Sequence, residues 1–265
     1  MKIAVAGAAG RMGRAVLAAV IQSPDVTLSG ALVRPSHGAC GRDVSFLVGT
    51  EPVGVLVSDV PALVISECDV LIDFTHPQST GEYAEICAEL GKRAVIGTTG
   101  LPAATLAKLH SLAGRTGFVV AANMSIGVNL ALHLLAIAAR VLGDADVEIF
   151  EAHHRHKVDA PSGTALRMGE VVAQARGQKL DEVAVYDRHT CRTERAPGAI
   201  GFASVRAGEI VGEHRVFLAL RAERLEIAHV AESRDVFAAG ALRAAHFVFA
   251  RGPGLFDMQD VLGLR

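Results

Sequence analysis

Three of the eleven histidines fall within four residues, in the run Glu151-Ala152-His153-His154-Arg155-His156-Lys157-Val158-Asp159-Ala160-Pro161-Ser162-Gly163-Thr164-Ala165-Leu166. In an extended segment, alternation puts His153, Arg155 and Lys157 on one face and His154 and His156 on the other. In a helical one, His153 and Lys157 are i,i+4 neighbours. Either geometry lets an imidazole, with an ordinary pKa of about 6.5, and an ammonium act on one small molecule as proton donors near neutral pH. Their charge favours a substrate carrying carboxylates. Ser162 has the chemistry of a helix N-cap behind Pro161, and Thr164 to Ala175 continues as a helix. The amides of Gly163, Thr164 and Ala165 would then face out of the helix start as a carboxylate or phosphate site, with Gly163 leaving the approach open. A solvated basic loop, a three-imidazole metal site and an RNA-binding patch are the competing readings. The metal reading lacks the i,i+4 histidine or cysteine-pair spacing of common zinc sites. The RNA reading lacks a basic net charge and interleaved aromatics.

The elements that must position these groups alternate between strand and helix. Lys2 to Ala6 reads as a buried strand, Gly7-Ala8-Ala9-Gly10-Arg11-Met12-Gly13 as a tight turn, and Arg14 to Ile21 as a helix stopped by Ser23-Pro24. Strand, glycine-rich turn and helix is the context of a dinucleotide site, although Ala9 stands where the usual motif has its second glycine; a turn with no ligand is the alternative. The next strand, Val26 to Val33, would end on an acidic residue if the ribose hydroxyls of NAD were bound there. Val33 is followed instead by Arg34, whose guanidinium suits the 2′-phosphate of NADP or stacks on adenine, which leans the cofactor toward NADPH. Strands at 68–74, 93–96 and 118–122 end in Asp73-Phe74-Thr75, Gly97-Thr98-Thr99-Gly100 and Asn123-Met124-Ser125, with helices at 78–90 and 102–113 between them. Open α/β sheets bind ligands at that edge. There, Gly97 to Thr99 would let backbone approach a nicotinamide ribose, Asn123 would bond a carboxamide, and Asp73 would brace a loop.

An apolar helix, Gly127 to Leu142, and a strand, Asp146 to Phe150, deliver the basic cluster. Beyond the capped helix, Leu180 to Pro197 reads as a loop, followed by strands at 200–205, 210–220 and 224–231, a helix at 235–250 and a short tail. This predicts an α/β chain: a Rossmann-type parallel-sheet domain, residues 1–125 plus 235–265, and a smaller α+β domain with a mixed, largely open sheet, residues 126–234, sharing a hinge. The composition is 51% hydrophobic with 5% aromatics and no tryptophan, so the core must be aliphatic. A net charge of −2 argues against nucleic-acid and membrane-surface partners. Cys40, Cys68, Cys87 and Cys191 show no CxxC spacing and read as buried reduced thiols of a soluble, cytoplasmic protein.

The glycine-rich run 7–13, the strand ends Asp73-Phe74-Thr75 and Gly97-Thr98-Thr99-Gly100, Ala121-Ala122-Asn123-Met124-Ser125-Ile126-Gly127-Val128-Asn129 and above all the run 151–165 resemble the dihydrodipicolinate reductase family. So do Gly201-Phe202-Ala203-Ser204-Val205-Arg206-Ala207-Gly208, Val211-Gly212-Glu213-His214 and the tail Phe256-Asp257-Met258-Gln259-Asp260-Val261-Leu262. The resemblance runs in order over nearly the whole chain. It implies reduction of 4-hydroxy-tetrahydrodipicolinate, a cyclic dicarboxylate, with loss of water, by NADH or NADPH on the diaminopimelate route to lysine, in a homotetramer. It implies that His153 is the catalytic proton donor or acceptor and Lys157 the second donor, and that His154, Gly163 and Thr164 contact substrate carboxylates. It implies cofactor contacts at Gly7, Ala8, Ala9, Gly10, Arg11, Met12, Gly97, Thr98, Thr99, Ala121, Ala122, Asn123 and Met124, beside the Arg34 read above, and no metal. The chain departs from the pattern at Val33, where many members carry an acidic residue before the arginine. A dinucleotide-binding sensor without turnover, a metal-dependent hydrolase or aldolase, and a reductase of a related cyclic imine acid are the remaining readings.

Overall fold

Every residue of the first strand after Lys2 is buried, which only a strand covered on both faces requires. A computed structural model, describing residues 1–189 and 192–265, meets that requirement; Cys191 lies outside the described residues. In chain order the elements are β1 (Lys2–Ala6), α1 (Arg11–Gln22), β2 (Thr27–Leu32), α2 (Ser45–Val48), β3 (Val57–Ser58), α3 (Pro61–Ser66), β4 (Val70–Asp73), α4 (Pro77–Glu89), β5 (Arg93–Ile96), α5 (Ala103–Leu112) and β6 (Gly117–Val120). There follow α6 (Ile126–Val141), β7 (Asp146–His153), α7 (Gly163–Ala175), α8 (Leu180–Val183), β8 (Ala184–Val185), β9 (Ile200–Arg206), β10 (Gly212–Ala219) and β11 (Arg224–Ala231). The chain closes with α9 (Asp235–Phe249), β12 (Gly254–Phe256) and α10 (Met258–Leu262).

The chain divides into two compact units, Met1–Ile126 with Arg234–Arg265, and Gly127–Ser233. The first is a seven-stranded sheet in the order β12-β6-β5-β4-β1-β2-β3, parallel throughout. Ile3 and Val5 face one core with Val16, Leu17 and Val20 of α1 and Ala238, Ala241, Ala244, Ala245 and Val248 of α9. Ala4 and Ala6 face the other, with Val64 and Ile65 of α3, Tyr83, Ala84 and Cys87 of α4 and Leu109 of α5. Small residues let α9 lie close: a Cβ on Gly240 would collide with the carbonyl oxygen of Met124.

The second unit is a five-stranded mixed sheet, β11-β10-β7-β9-β8, in which β10 is antiparallel to both β7 and β11 while β7, β9 and β8 are parallel. Val147 and Ile149 of β7 pack with Leu135 and Ala139 of α6 and with Ala165, Met168 and Val172 of α7. The opposite side of α6 leaves Leu130, Leu134, Ile137 and Val141 exposed.

Three expectations are corrected. The stretch 180–197 is not loop throughout, since α8 and β8 occupy its first six residues and β8 adds an edge to the mixed sheet. β7 runs on to His153 rather than ending at Phe150, because β9 and β10 pair with it into the basic cluster. Cys68 and Cys87 are buried, but Cys40 is exposed. Among the described residues, no helix is long and apolar enough to cross a membrane.

Candidate active site

Strand alternation decides what surrounds His153. Val147, Ile149, Glu151 and His153 follow one another at two-residue intervals, so the face that is apolar near the start of β7 turns ionisable at its end. Register then supplies the neighbours. Glu151 lies between Ser204 of β9 and His214 of β10, and His153 lies beside Arg206. Glu151 is fully buried. Arg206 donates from Nη1 to its Oε2 at 2.9 Å and from Nη2 to its Oε1 at 2.8 Å, a two-pronged pair. His153 Nδ1 stands 2.6 Å from Oε2, and the Ser162 amide donates to Oε1 at 3.3 Å. Burial alone would push the Glu151 carboxyl up; hydrogen bonds from Arg206, Ser204 and His153 outweigh it and bring it down to about 2. The group is therefore a carboxylate and can only accept, so the proton between it and His153 sits on Nδ1.

Burial lowers His153 below the ordinary histidine value, Glu151 works against that, and the charges of Lys157 and Arg206 add to the lowering. Across from it, His214 is pushed down to about 3 by burial, with His153 beside it, and stays neutral. Its ring meets that of His153 edge-on at 5.2 Å, and its Nε2 lies 2.9 Å from Ser162 Oγ. Ser162 is the N-cap of α7 as expected, its Oγ accepting from the Ala165 amide at 3.1 Å. The amide of Ala165 is thus engaged rather than free. Gly163 is exposed, and a Cβ there would meet nothing within 4 Å, so no packing within the protein requires a glycine at this position.

Beyond His153 the backbone is neither strand nor helix. The Lys157 amide donates to the His154 carbonyl at 3.1 Å and the Arg155 amide to Gly208 at 3.1 Å, forming a turn that carries Lys157 back. Lys157 Nζ is 2.9 Å from Asp159 Oδ1 and Arg206 also donates to the Asp159 carbonyl. His154 is half-buried, its Nδ1 buried without a hydrogen-bond partner among the described residues, while Arg155 and His156 are exposed.

In the other unit the glycine-rich turn fits a dinucleotide pyrophosphate. Gly7 has φ +76°, and a Cβ there would lie 2.6 Å from the Phe74 carbonyl oxygen; a Cβ on Gly13 would run into the Gly7 carbonyl. α1 therefore starts directly on the turn. Gly10 caps it without a side-chain bond, and its first turn has no acidic residue, so its positive end is not neutralised. Ala9 is half-buried, Gly10 and Arg11 are exposed, and Met12 is half-buried, but Ala8 is buried in the core. At the neighbouring strand ends, Asp73 accepts from Thr75 Oγ and Thr80 Oγ at 2.5 Å, and Thr98 Oγ accepts from the Thr75 amide at 3.1 Å. Asp73 is thus the loop brace its position suggested, burial raising its carboxyl against those bonds. The Phe74 ring occupies the place of a Gly97 side chain, and Thr99 is exposed. Asn123 Oδ1 accepts from the Ser125 amide at 2.9 Å, and Met124 is buried, its side chain in the core and its carbonyl packed against Gly240 of α9. Ala121 is half-buried and Ala122 exposed. Val33 points into the core with Ala39, Val44 and Val57, while Arg34 is exposed.

Family models of dihydrodipicolinate reductase match end to end, the N-terminus over residues 1–124 and the C-terminus over residues 127–262. The chain belongs to the dihydrodipicolinate reductase family. It is accordingly an oxidoreductase, and a nicotinamide dinucleotide is the cofactor its Rossmann-type unit serves. Relatives named 4-hydroxy-tetrahydrodipicolinate reductase from Burkholderia lata and Neisseria meningitidis serogroup C are 53% and 52% identical, covering all of this chain and 100% and 98% of theirs. A dipicolinate-bound dihydrodipicolinate reductase structure from Paenisporosarcina superposes with a TM-score of 0.78 at 26% identity over 98% of both chains.

Sequence reasoning did not single out Glu151, Arg206 or His214, and gave Ser162 only a capping role. One signal was available: Glu151 stands two residues before His153 in the same alternating series as Val147 and Ile149, so a strand reaching His153 must bury it.

Proposed function

We propose that the enzyme reduces 4-hydroxy-tetrahydrodipicolinate to tetrahydrodipicolinate, with loss of water, on the diaminopimelate route to lysine. The observation that carries this reading is the grouping in one unit of a half-buried imidazole, an ammonium returned by a turn, and a helix start whose glycine meets no packing partner. A cyclic dicarboxylate with an imine asks for those three things. When bound, the reduced nicotinamide supplies the hydride to a ring carbon made electron-poor by conjugation with the imine. His153 and Lys157 protonate the nitrogen-bearing system as negative charge builds on it. His154, Gly163 and Thr164 hold a carboxylate at the start of α7 and fix which ring face is presented. Gly7, Ala8, Ala9, Gly10, Arg11 and Met12 hold the pyrophosphate through backbone, and Gly97, Thr98, Thr99, Ala121, Ala122, Asn123 and Met124 hold the nicotinamide end.

NADPH serves at least as well as NADH. Val33 offers no carboxylate to ribose hydroxyls, and exposed Arg34 is free to pair with a 2′-phosphate. The enzyme works in the cytoplasm as a homotetramer, for which the apolar stripe Leu130, Leu134, Ile137 and Val141 offers surface to bury; sedimentation velocity would read the mass. The decisive assay generates the substrate in place from pyruvate and aspartate semialdehyde with the preceding synthase and follows reduced-nicotinamide absorbance. Oxidation should depend on the synthase and fall by about 10²-fold or more in Lys157→Ala. A several-fold higher kcat/KM with NADH would refute the cofactor preference, and oxidation undiminished in Lys157→Ala would refute the role of that residue.

A further inference from the structure

We infer that Glu151 is a positioning residue for His153: clamped by Arg206 and by the start of α7, its carboxylate fixes the imidazole with the proton on Nδ1 and leaves Nε2 as the nitrogen that exchanges a proton with substrate. The inference rests on the reading that His153 moves a proton, and goes beyond it by naming the tautomer, the reacting atom and the group that sets both.

Four observations carry it. First, the 2.6 Å separation between His153 Nδ1 and Glu151 Oε2 is shorter than the carboxylate's bonds to Arg206 and to the Ser162 amide, at the short end of charge-assisted bonds. Second, Arg206 holds both oxygens at once, which fixes the plane of the carboxylate and so the direction from which the imidazole is held. A buried carboxylate tying two strands together would be satisfied by Arg206, Ser204 and the Ser162 amide; the bond to His153 is additional. Third, the other nitrogen is kept clear. Gly212 faces it, and a Cβ there would stand 3.1 Å from His153 Nε2, so the missing side chain leaves room at the atom that must meet substrate. Fourth, the same carboxylate accepts from the Ser162 amide, so one rigid group registers the imidazole against the helix start that takes the substrate carboxylate. A carboxylate that orients an imidazole stabilises the imidazolium without taking its proton.

The test uses the full-length enzyme with imidazole-¹⁵N-labelled histidine. Nitrogen–proton correlation spectra above neutral pH should show His153, identified by its loss in His153→Gln, as the Nδ1–H tautomer. In Glu151→Gln that preference should weaken or invert. In the coupled assay kcat should fall by about 10-fold or more, up to the 10²–10⁴ that general acid–base catalysis supplies, with substrate KM changed less than about threefold. The limb of the pH–rate profile set by His153 should move to lower pH, because the neighbouring carboxylate that favoured the protonated ring is gone. Glu151→Asp, which keeps the charge on a shorter arm, should restore the limb more fully than the rate. Placed in His153→Gln, the Glu151→Gln change should add less than about threefold. An unchanged tautomer and an unchanged pH limb in Glu151→Gln, with damage confined to thermal stability, would overturn the inference. A native rate in His153→Gln would instead sink the proton-transfer reading beneath it, while the spectra would still report whether Glu151 governs the ring. Should Glu151→Gln fold poorly because Arg206 is left unpaired, the Glu151→Gln, Arg206→Met double variant removes both charges and takes the same readouts.

Discussion

At the scale of single residues, the site is a set of exclusions as much as contacts. The missing side chain at Gly212 leaves space beside His153 Nε2. In Gly212→Ala the new methyl stands 3.1 Å from that nitrogen and 3.5 Å from Cδ2, so the ring must give by a few tenths of an ångström. Misplacement of about 1 Å is able to cost on the order of 10²-fold in rate; the smaller shift should lower kcat by about tenfold or less. Cofactor affinity, measured by fluorescence titration with NADPH, should remain as in the parent. The imidazole and ammonium were legible from sequence because local spacing alone brings His153 and Lys157 near each other. Glu151 was not, because a carboxylate in an alternating series looks like the end of a strand. The arginine that makes it tolerable lies 55 residues away, on a strand whose register no local pattern encodes.

Elements are where glycine and alanine decide the packing. Within a helix, glycine is about 1 kcal/mol less favourable than alanine, so propensity alone would have Gly240→Ala stabilise α9. The contact decides otherwise, since the added Cβ would enter the backbone oxygen of Met124, which has no flexible end to move aside. A loss of about 3 kcal/mol is expected, at the upper end of what overpacking costs, and thermal unfolding would show it as a fall in Tm of several degrees. The strand–turn–helix opening and the Ser162 cap were readable because each rests on contiguous residues, and the parallel character of the first sheet because strand and helix runs alternate along the chain; the strand order was not read. α2, β3 and α3 were not, and neither were β12 and α10. β3 has two residues and β12 three, too few to establish a period, and each exists by pairing with an edge already built.

Across the whole molecule, two buried groups set the acid limit. His214 has its folded value lowered to about 3, so the stability it contributes is complete above the unfolded value near 6.5 and is lost as pH falls from there. Glu151, lowered to about 2, contributes stability present above its unfolded value of about 4.3 and lost on the way down to pH 2. Asp73 has the opposite sign, its raised carboxyl being relieved by protonation. Chemical denaturation between pH 8 and 3 should therefore give a stability that begins to decline below about 6.5 and steepens below about 4.5. His214→Asn should flatten the upper part of that decline and Glu151→Gln the lower part. Equal slopes in parent and both variants would show that other groups control acid unfolding.

The first unit is discontinuous, and that has a consequence during synthesis. β1, β4, β5 and β6 are all made by residue 120, yet one face of their sheet is completed by Ala238, Ala241, Ala244, Ala245 and Val248. Until α9 leaves the ribosome, the nascent strands carry an uncovered aliphatic surface while 107 residues of the second unit, Gly127–Ser233, are still being translated. That inserted unit is continuous in sequence and is free to fold first, domain by domain, as large chains do. A helix made after the whole of the second unit is thus the one that closes the first-made sheet, and a chain terminated before residue 234 lacks the residues that cover that face.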